Sequence, residues 1–174
     1  MATDRRAFLV ATSATAWALP GCGAAGAPPF GSLAAAREAL GSLAQVQATG
    51  AWRVPQVLTH LAQSIEYSLL GFPALKPAWF RATLGRAAFA VFDARGAMSH
   101  PLDQPIPGAP ALDEATPFEA ARTRLIVALD QFERHSGALQ PHFAYGELDK
   151  PAYARAHLMH LCQHWGEFQP TAVA

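Results

Sequence analysis

Residues 141–164 read PHFAYGELDKPAYARAHLMHLCQH, and the periodicity of the second half of this stretch decides the fold class. Asp149 offers a side-chain acceptor of the kind that caps a helix start. Pro151 suits a first turn, where its missing N–H is not needed. From Pro151 to about Phe168 the residues repeat with a helical period. With His160 at zero, His164 falls at about 40°, His157 at about 60°, Tyr153 at about 20° and Glu167 at about −20°. Leu161, Trp165, Leu158 and Cys162 span about 100° to 200° on the same wheel. The spacing therefore predicts a helix with an apolar stripe, a histidine stripe beside it, and Arg155, Met159 and Gln163 toward solvent.

Upstream, the chain reads as further helices. Ser32 is a candidate N-cap for a segment reaching about Gln47, with Leu33, Ala36, Leu40 and Leu43 at helical spacing, and Gly50 marks the break. A second helix is expected from Pro55 to Leu70, stopped by Gly71 and Pro73. A third runs over Pro77–Phe92, weakened by Gly85. Residues 96–115 carry prolines at 101, 105, 107 and 110, which forbid regular helix and make a long loop. Thr116-Pro117 then opens a fourth helix through Phe118, Leu125, Leu129 and Phe132, ending by Gly137. No segment alternates with strand periodicity for long. The expected fold is all-α: an antiparallel four-helix bundle with an extra short helix, occupying residues 32–169.

The chain has 174 residues, with 13 basic and 13 acidic side chains, 51% apolar and 15% charged. That size suits one domain with a proper core. A formal charge of zero leaves no basic surplus for phosphates, which argues against a nucleic-acid partner and against polybasic membrane adhesion. The front differs from the rest. Residues 3–9 read TDRRAFL, with paired Arg5 and Arg6 ahead of an uncharged stretch from Ala7 to Leu19, which resembles a twin-arginine export signal. The run ends in Leu19-Pro20-Gly21-Cys22, similar to a lipoprotein processing box. Either Cys22 is lipidated and tethers the domain to a membrane, or cleavage falls a few residues later and Cys22 is incidental. Residues 23–31, GAAGAPPFG, read as a flexible tether. The expected location is the periplasm or cell envelope.

The histidines carry the chemistry. Two of them four residues apart on one helix face can reach a single metal ion, or can simply be hydrogen-bonded in a core. His60, in VLTHLAQSIEY, lies beside the apolar face of the second helix. Facing helices of a bundle supply ligands across the interior, and three imidazoles leave room for water or substrate. Cys162 projects away from these positions and reads as an apolar thiol. Ser64 has no general-base arrangement apart from the histidines, and Gly85, Gly96 and Gly108 lack the spacing of a phosphate loop.

A histidine on the second helix followed by His-x-x-x-His on the last, with the strings THLAQSIEYSLLGFP (59–73), PIPGAP (105–110) and 141–164, resembles the DinB/YfiT-like superfamily of metal-binding four-helix bundles. It resembles in particular a branch known only as a domain of unknown function. The resemblance covers about residues 33–168 and implies that His60, His160 and His164 are the metal triad. His157 would replace a ligand, support one, or do neither. His142 would line the pocket mouth or be solvated. Tyr153 and Glu167 are candidates to accept a ligand's second N–H, with a surface charge as the alternative for Glu167. Some members of the superfamily are thiol-dependent transferases and others have no demonstrated activity; export disfavours a cytosolic thiol cofactor here. A homodimer is compatible with the resemblance.

Two functions follow. In one, a divalent ion, zinc or nickel, serves a hydrolase or transferase acting on a small molecule, with His157, Tyr153 or Glu167 moving a proton. In the other, the chain is a non-catalytic module that binds a metal or a ligand. A metal-free bundle with hydrogen-bonded histidines is the third reading.

Overall fold

In a computed structural model, residues 29–44 and 46–171 are described; Arg5, Arg6, Cys22 and most of the expected tether lie outside them. The described chain is mostly helical. Its elements are α1 (Leu33–Gly41), β1 (Val46–Ala48), α2 (Val54–Leu70), α3 (Ala78–Phe80), a π-helical turn (Arg81–Gly85), α4 (Arg86–Arg95), α5 (Phe118–Arg134), α6 (Lys150–Trp165) and β2 (Phe168–Pro170). No described helix is long and apolar enough to cross a membrane.

Two expected caps form: Ser32 Oγ accepts from Ala35 N at 3.1 Å, and Asp149 Oδ1 accepts from Ala152 N at 2.8 Å. At the start of α2 the side chain of Gln56 accepts from Arg53 N at 2.9 Å, so the chain's own glutamine satisfies an orphan donor. The fourth helix starts one residue late: Pro117, not Thr116, is its cap residue.

The all-helical expectation needs amending at two ends. Helix α1 stops at Gly41, because Val46–Ala48 pairs antiparallel with Phe168–Pro170 in the register Val46↔Pro170, Gln47↔Gln169, Ala48↔Phe168. That pairing also ends α6 at Trp165, short of Phe168. Phe30, expected within a flexible tether, is instead buried and packs edge-on against Trp165 with ring centroids 4.7 Å apart.

Helix α2 is buried on nearly every side and lies at the centre of the molecule. It packs along α5, while α6 packs against α2 and α1 packs against both α5 and α6. Val57, Leu58, Leu61 and Ile65 meet Leu40, Leu125, Leu129, Phe132 and Leu161 in one core. Each such large side chain stabilises the fold by about 1.5–3 kcal/mol. A second, smaller cluster joins Phe89 of α4 to Ala152, Ala156 and Met159 of α6. Met159 and Gln163 are consequently not solvent-facing, because α4 and the loop after it cover that side of α6. Exposed ion pairs Arg37–Asp130, Glu66–Arg124 and Asp93–Arg155 link α1 to α5, α2 to α5 and α4 to α6.

The loop over 96–115 has no helix or strand, as its prolines require. Prolines also strip it of backbone donors, so glutamine amides from the helices bind its carbonyls. Gln56 Nε2 donates to Leu112 O at 3.3 Å, Gln63 Nε2 to Pro110 O at 3.5 Å and Gln163 Nε2 to His100 O at 2.7 Å. Ile106 is buried and anchors the loop from within.

Candidate metal centre

His60 on α2 and His160 and His164 on α6 converge, with one nitrogen from each lying within 4.8 Å of the others. Their ring centroids are 5.0, 5.2 and 4.9 Å apart for the pairs 60–160, 60–164 and 160–164. His60 Nε2 and His160 Nε2 are 3.2 Å apart. Metal–nitrogen bonds of about 2.0–2.1 Å at a tetrahedral ion place neighbouring ligand atoms at a similar spacing. His60 Nδ1 and His164 Nε2 are buried without a hydrogen-bond partner. An orphaned nitrogen costs about 1–3 kcal/mol, a cost that a coordinated cation would remove from His164 Nε2, though not from His60 Nδ1 on the far side of its ring from the nitrogen nearest His160. The donor set therefore fits a divalent ion.

Burial is the main cause of the electrostatics. It lowers His60 to about 4 and His164 to about 3, with neighbouring imidazoles adding to the effect. His160 is pushed well below its usual value by burial first and then by His60, His164, His100 and His157. All three rings are neutral near pH 7, which is the form that ligates a metal.

Glu167 lies just beyond the end of α6, and its Oε2 accepts from His164 Nδ1 at 2.8 Å. That bond leaves His164 Nε2 with its lone pair. The small sheet makes this possible. The Glu167 carbonyl accepts from Thr49 N at 2.9 Å and from Thr49 Oγ1 at 3.2 Å. Gly50 lies so close that a Cβ there would overlap the Glu167 carboxylate. Burial, followed by the charge of Asp103, raises the Glu167 carboxyl above its ordinary value. Trp52 covers the cluster, tilted over His60 at 5.0 Å and stacked on His164 at 6.4 Å between centroids. Nothing in the sequence around Trp52 marked it as part of a site.

The remaining candidates stand apart from the three-histidine cluster. His157 is buried with its ring against Tyr153 and edge-on to Phe132, and its Nε2 lies 3.3 Å from Ser68 Oγ. Ser68 gives its own proton to Ile65 O at 2.6 Å, so Nε2–H of His157 donates to Ser68 and Nδ1 keeps its lone pair. The Tyr153 hydroxyl donates to Gln140 O at 2.6 Å and accepts no imidazole N–H; burial raises its pKa. His142 is buried, and its Nδ1 accepts from Ala144 N and Tyr145 N, both at 3.1 Å. It closes the HFAYG turn and stacks on Tyr145 at 4.2 Å between centroids, so the solvated alternative does not hold. Cys162 is half-buried beside the core and lies outside the cluster.

A cavity of about 260 Å³ borders the cluster, lined by His60 and His160 together with Ser64, His100, His142, His157, Lys76 and Tyr145. Gln104–Pro107 of the long loop form one wall. Ala144 forms another, and Gly85 lies so close to the Ala144 carbonyl that a Cβ would overlap it. His100 escaped the sequence reading because it lies in an irregular loop, where no periodicity says which way a side chain points. Its ring is 5.1 Å from that of His160 and 5.8 Å from that of His164. A more open hollow of about 520 Å³ beside Trp52 and Phe118 carries no ligating side chain.

The profile of a family described as "Protein of unknown function (DUF1569)" matches residues 29–171. No curated protein matches the chain, and no solved structure does.

Proposed function

We propose that this chain, which belongs to the DUF1569 family, holds one divalent metal ion through His60, His160 and His164 and is a metal-dependent hydrolase or transferase acting on a small molecule in the adjoining cavity. The observation that carries this reading is the convergence of three neutral imidazoles, with an unpartnered nitrogen on His164, beside a partly open cavity. Zinc and nickel are the ions we favour, since imidazole ligands suit both.

A divalent ion there supplies Lewis acidity, polarising an oxygen or sulfur donor and lowering the pKa of a water or thiol. The chain's own residues do the rest. Glu167 orients His164. Trp52 shields the ligands from solvent. His157 lines the cavity and keeps the lone pair on Nδ1, an acceptor for a donor group of a bound molecule; burial lowers its pKa to about 3, so the ring stays neutral in that role. We take the fold as an antiparallel four-helix bundle of the DinB/YfiT kind formed by α1, α2, α5 and α6.

Elemental analysis of the purified protein beside His160→Ala tests the reading. About one equivalent of metal in the wild type and its loss in the variant is the expected outcome. Unchanged metal content in the variant would show the ligand set to be wrong. We further propose export through Arg5 and Arg6 and tethering through Cys22. Arg5→Lys with Arg6→Lys should then leave the protein in the cytoplasm, and normal export would refute that route.

A further inference from the structure

His100 stands close to two rings of the cluster, His160 and His164. Its ring centroid is 5.1 Å from His160 and 5.8 Å from His164, against 4.9–5.2 Å among the three themselves. Its tautomer is also set. His100 Nδ1 lies 2.8 Å from Pro101 O, and a carbonyl can only accept, so Nδ1 carries the proton and Nε2 keeps its lone pair. This is the arrangement that Glu167 imposes on His164. Its backbone is held by Gln163, the residue beside His164, through the 2.7 Å bond to its carbonyl.

We propose that His100 is a fourth imidazole for the ion, carried by the 96–115 loop rather than by a helix. The inference rests on the metal reading above. His100 lies outside the set whose nitrogens are all within 4.8 Å, so ligation requires its side chain to turn toward the cluster while its backbone stays held. The ring is half-buried and lines the cavity. Three ligands on packed helices are then permanent, whereas the fourth can give way to a donor atom of a molecule occupying the cavity.

The test uses the full-length protein loaded with zinc, its His100→Ala and His160→Ala variants, X-ray absorption to count imidazoles, and chelator competition to measure affinity. Wild type should show four imidazoles. His100→Ala should still bind one ion, with three imidazoles and at least about tenfold weaker affinity. Added free imidazole should restore the fourth. Three imidazoles in wild type and unchanged affinity in His100→Ala would overturn this inference and leave the three-histidine reading standing. A wild-type protein that takes up no zinc would overturn both.

Discussion

At the scale of single residues, the site depends on one carboxylate held by an unusually close glycine. Glu167 directs His164, and Gly50 leaves the space that its carboxylate occupies. Glu167→Gln retains an acceptor but loses the charge, and should weaken metal affinity by about 10–100-fold with the fold intact. Gly50→Ala pushes the carboxylate away and should cost a similar factor, although residue 50 touches no ligand. Equal affinity in both variants and wild type would mean that the Glu167–His164 hydrogen bond does not tune metal binding. The helical wheel placed Glu167 on the histidine stripe, and the carboxylate does reach it. It does so from beyond the helix end, through a turn in which Glu167 N donates to His164 O at 3.0 Å. His60 was added by the family resemblance, whereas His160 and His164 were legible because spacing on a helix fixes direction. Trp52 and His100 were not, since loop residues have no such period.

At the scale of elements, the sequence reading and the structure part where tertiary contacts override local preference. Residues 42–47 look helical by composition, yet strand pairing with Phe168–Pro170 takes residues 46–48. A short segment has too little intrinsic propensity to resist such a partner. Gly85 read as a weakness in a helix. It proves to be the contact point between the π-helical turn and the HFAYG segment, with the Ala144 carbonyl packed onto its Cα. Gly85→Ala must separate the two backbones and should destabilise the protein by about 1–3 kcal/mol. It should also loosen the cavity wall at Ala144 and Tyr145, seen as faster amide exchange in residues 142–146. Unchanged melting temperature and exchange would show that the contact is dispensable.

At the scale of the whole molecule, the fold keeps a set of imidazoles neutral in its interior, and acid should expose that cost. Burial lowers His142 and His157 to about 3, as it lowers His164, with His60 at about 4 and His160 well down. The unfolded chain takes up protons below about 6.5, whereas the folded chain resists until about 3 to 4, so stability rises with pH across that window. The metal-free protein should therefore melt at steadily lower temperature as pH falls from about 7 to about 4. A flat profile would show that these rings are solvated. His60 joined the ligands through the family resemblance, whereas the helical architecture and the shared face of His160 and His164 were readable from periodicity. The strapping of the proline-rich loop by Gln56, Gln63 and Gln163 was not, because its partners are carbonyls far apart in sequence. The most direct test of the central claim is anomalous diffraction at the zinc edge from crystals of the zinc-loaded protein. One strong peak is expected among His60, His160 and His164, at about 2.0–2.1 Å from a nitrogen of each. An empty cluster, or a peak on other side chains such as His142 and His157, would contradict it.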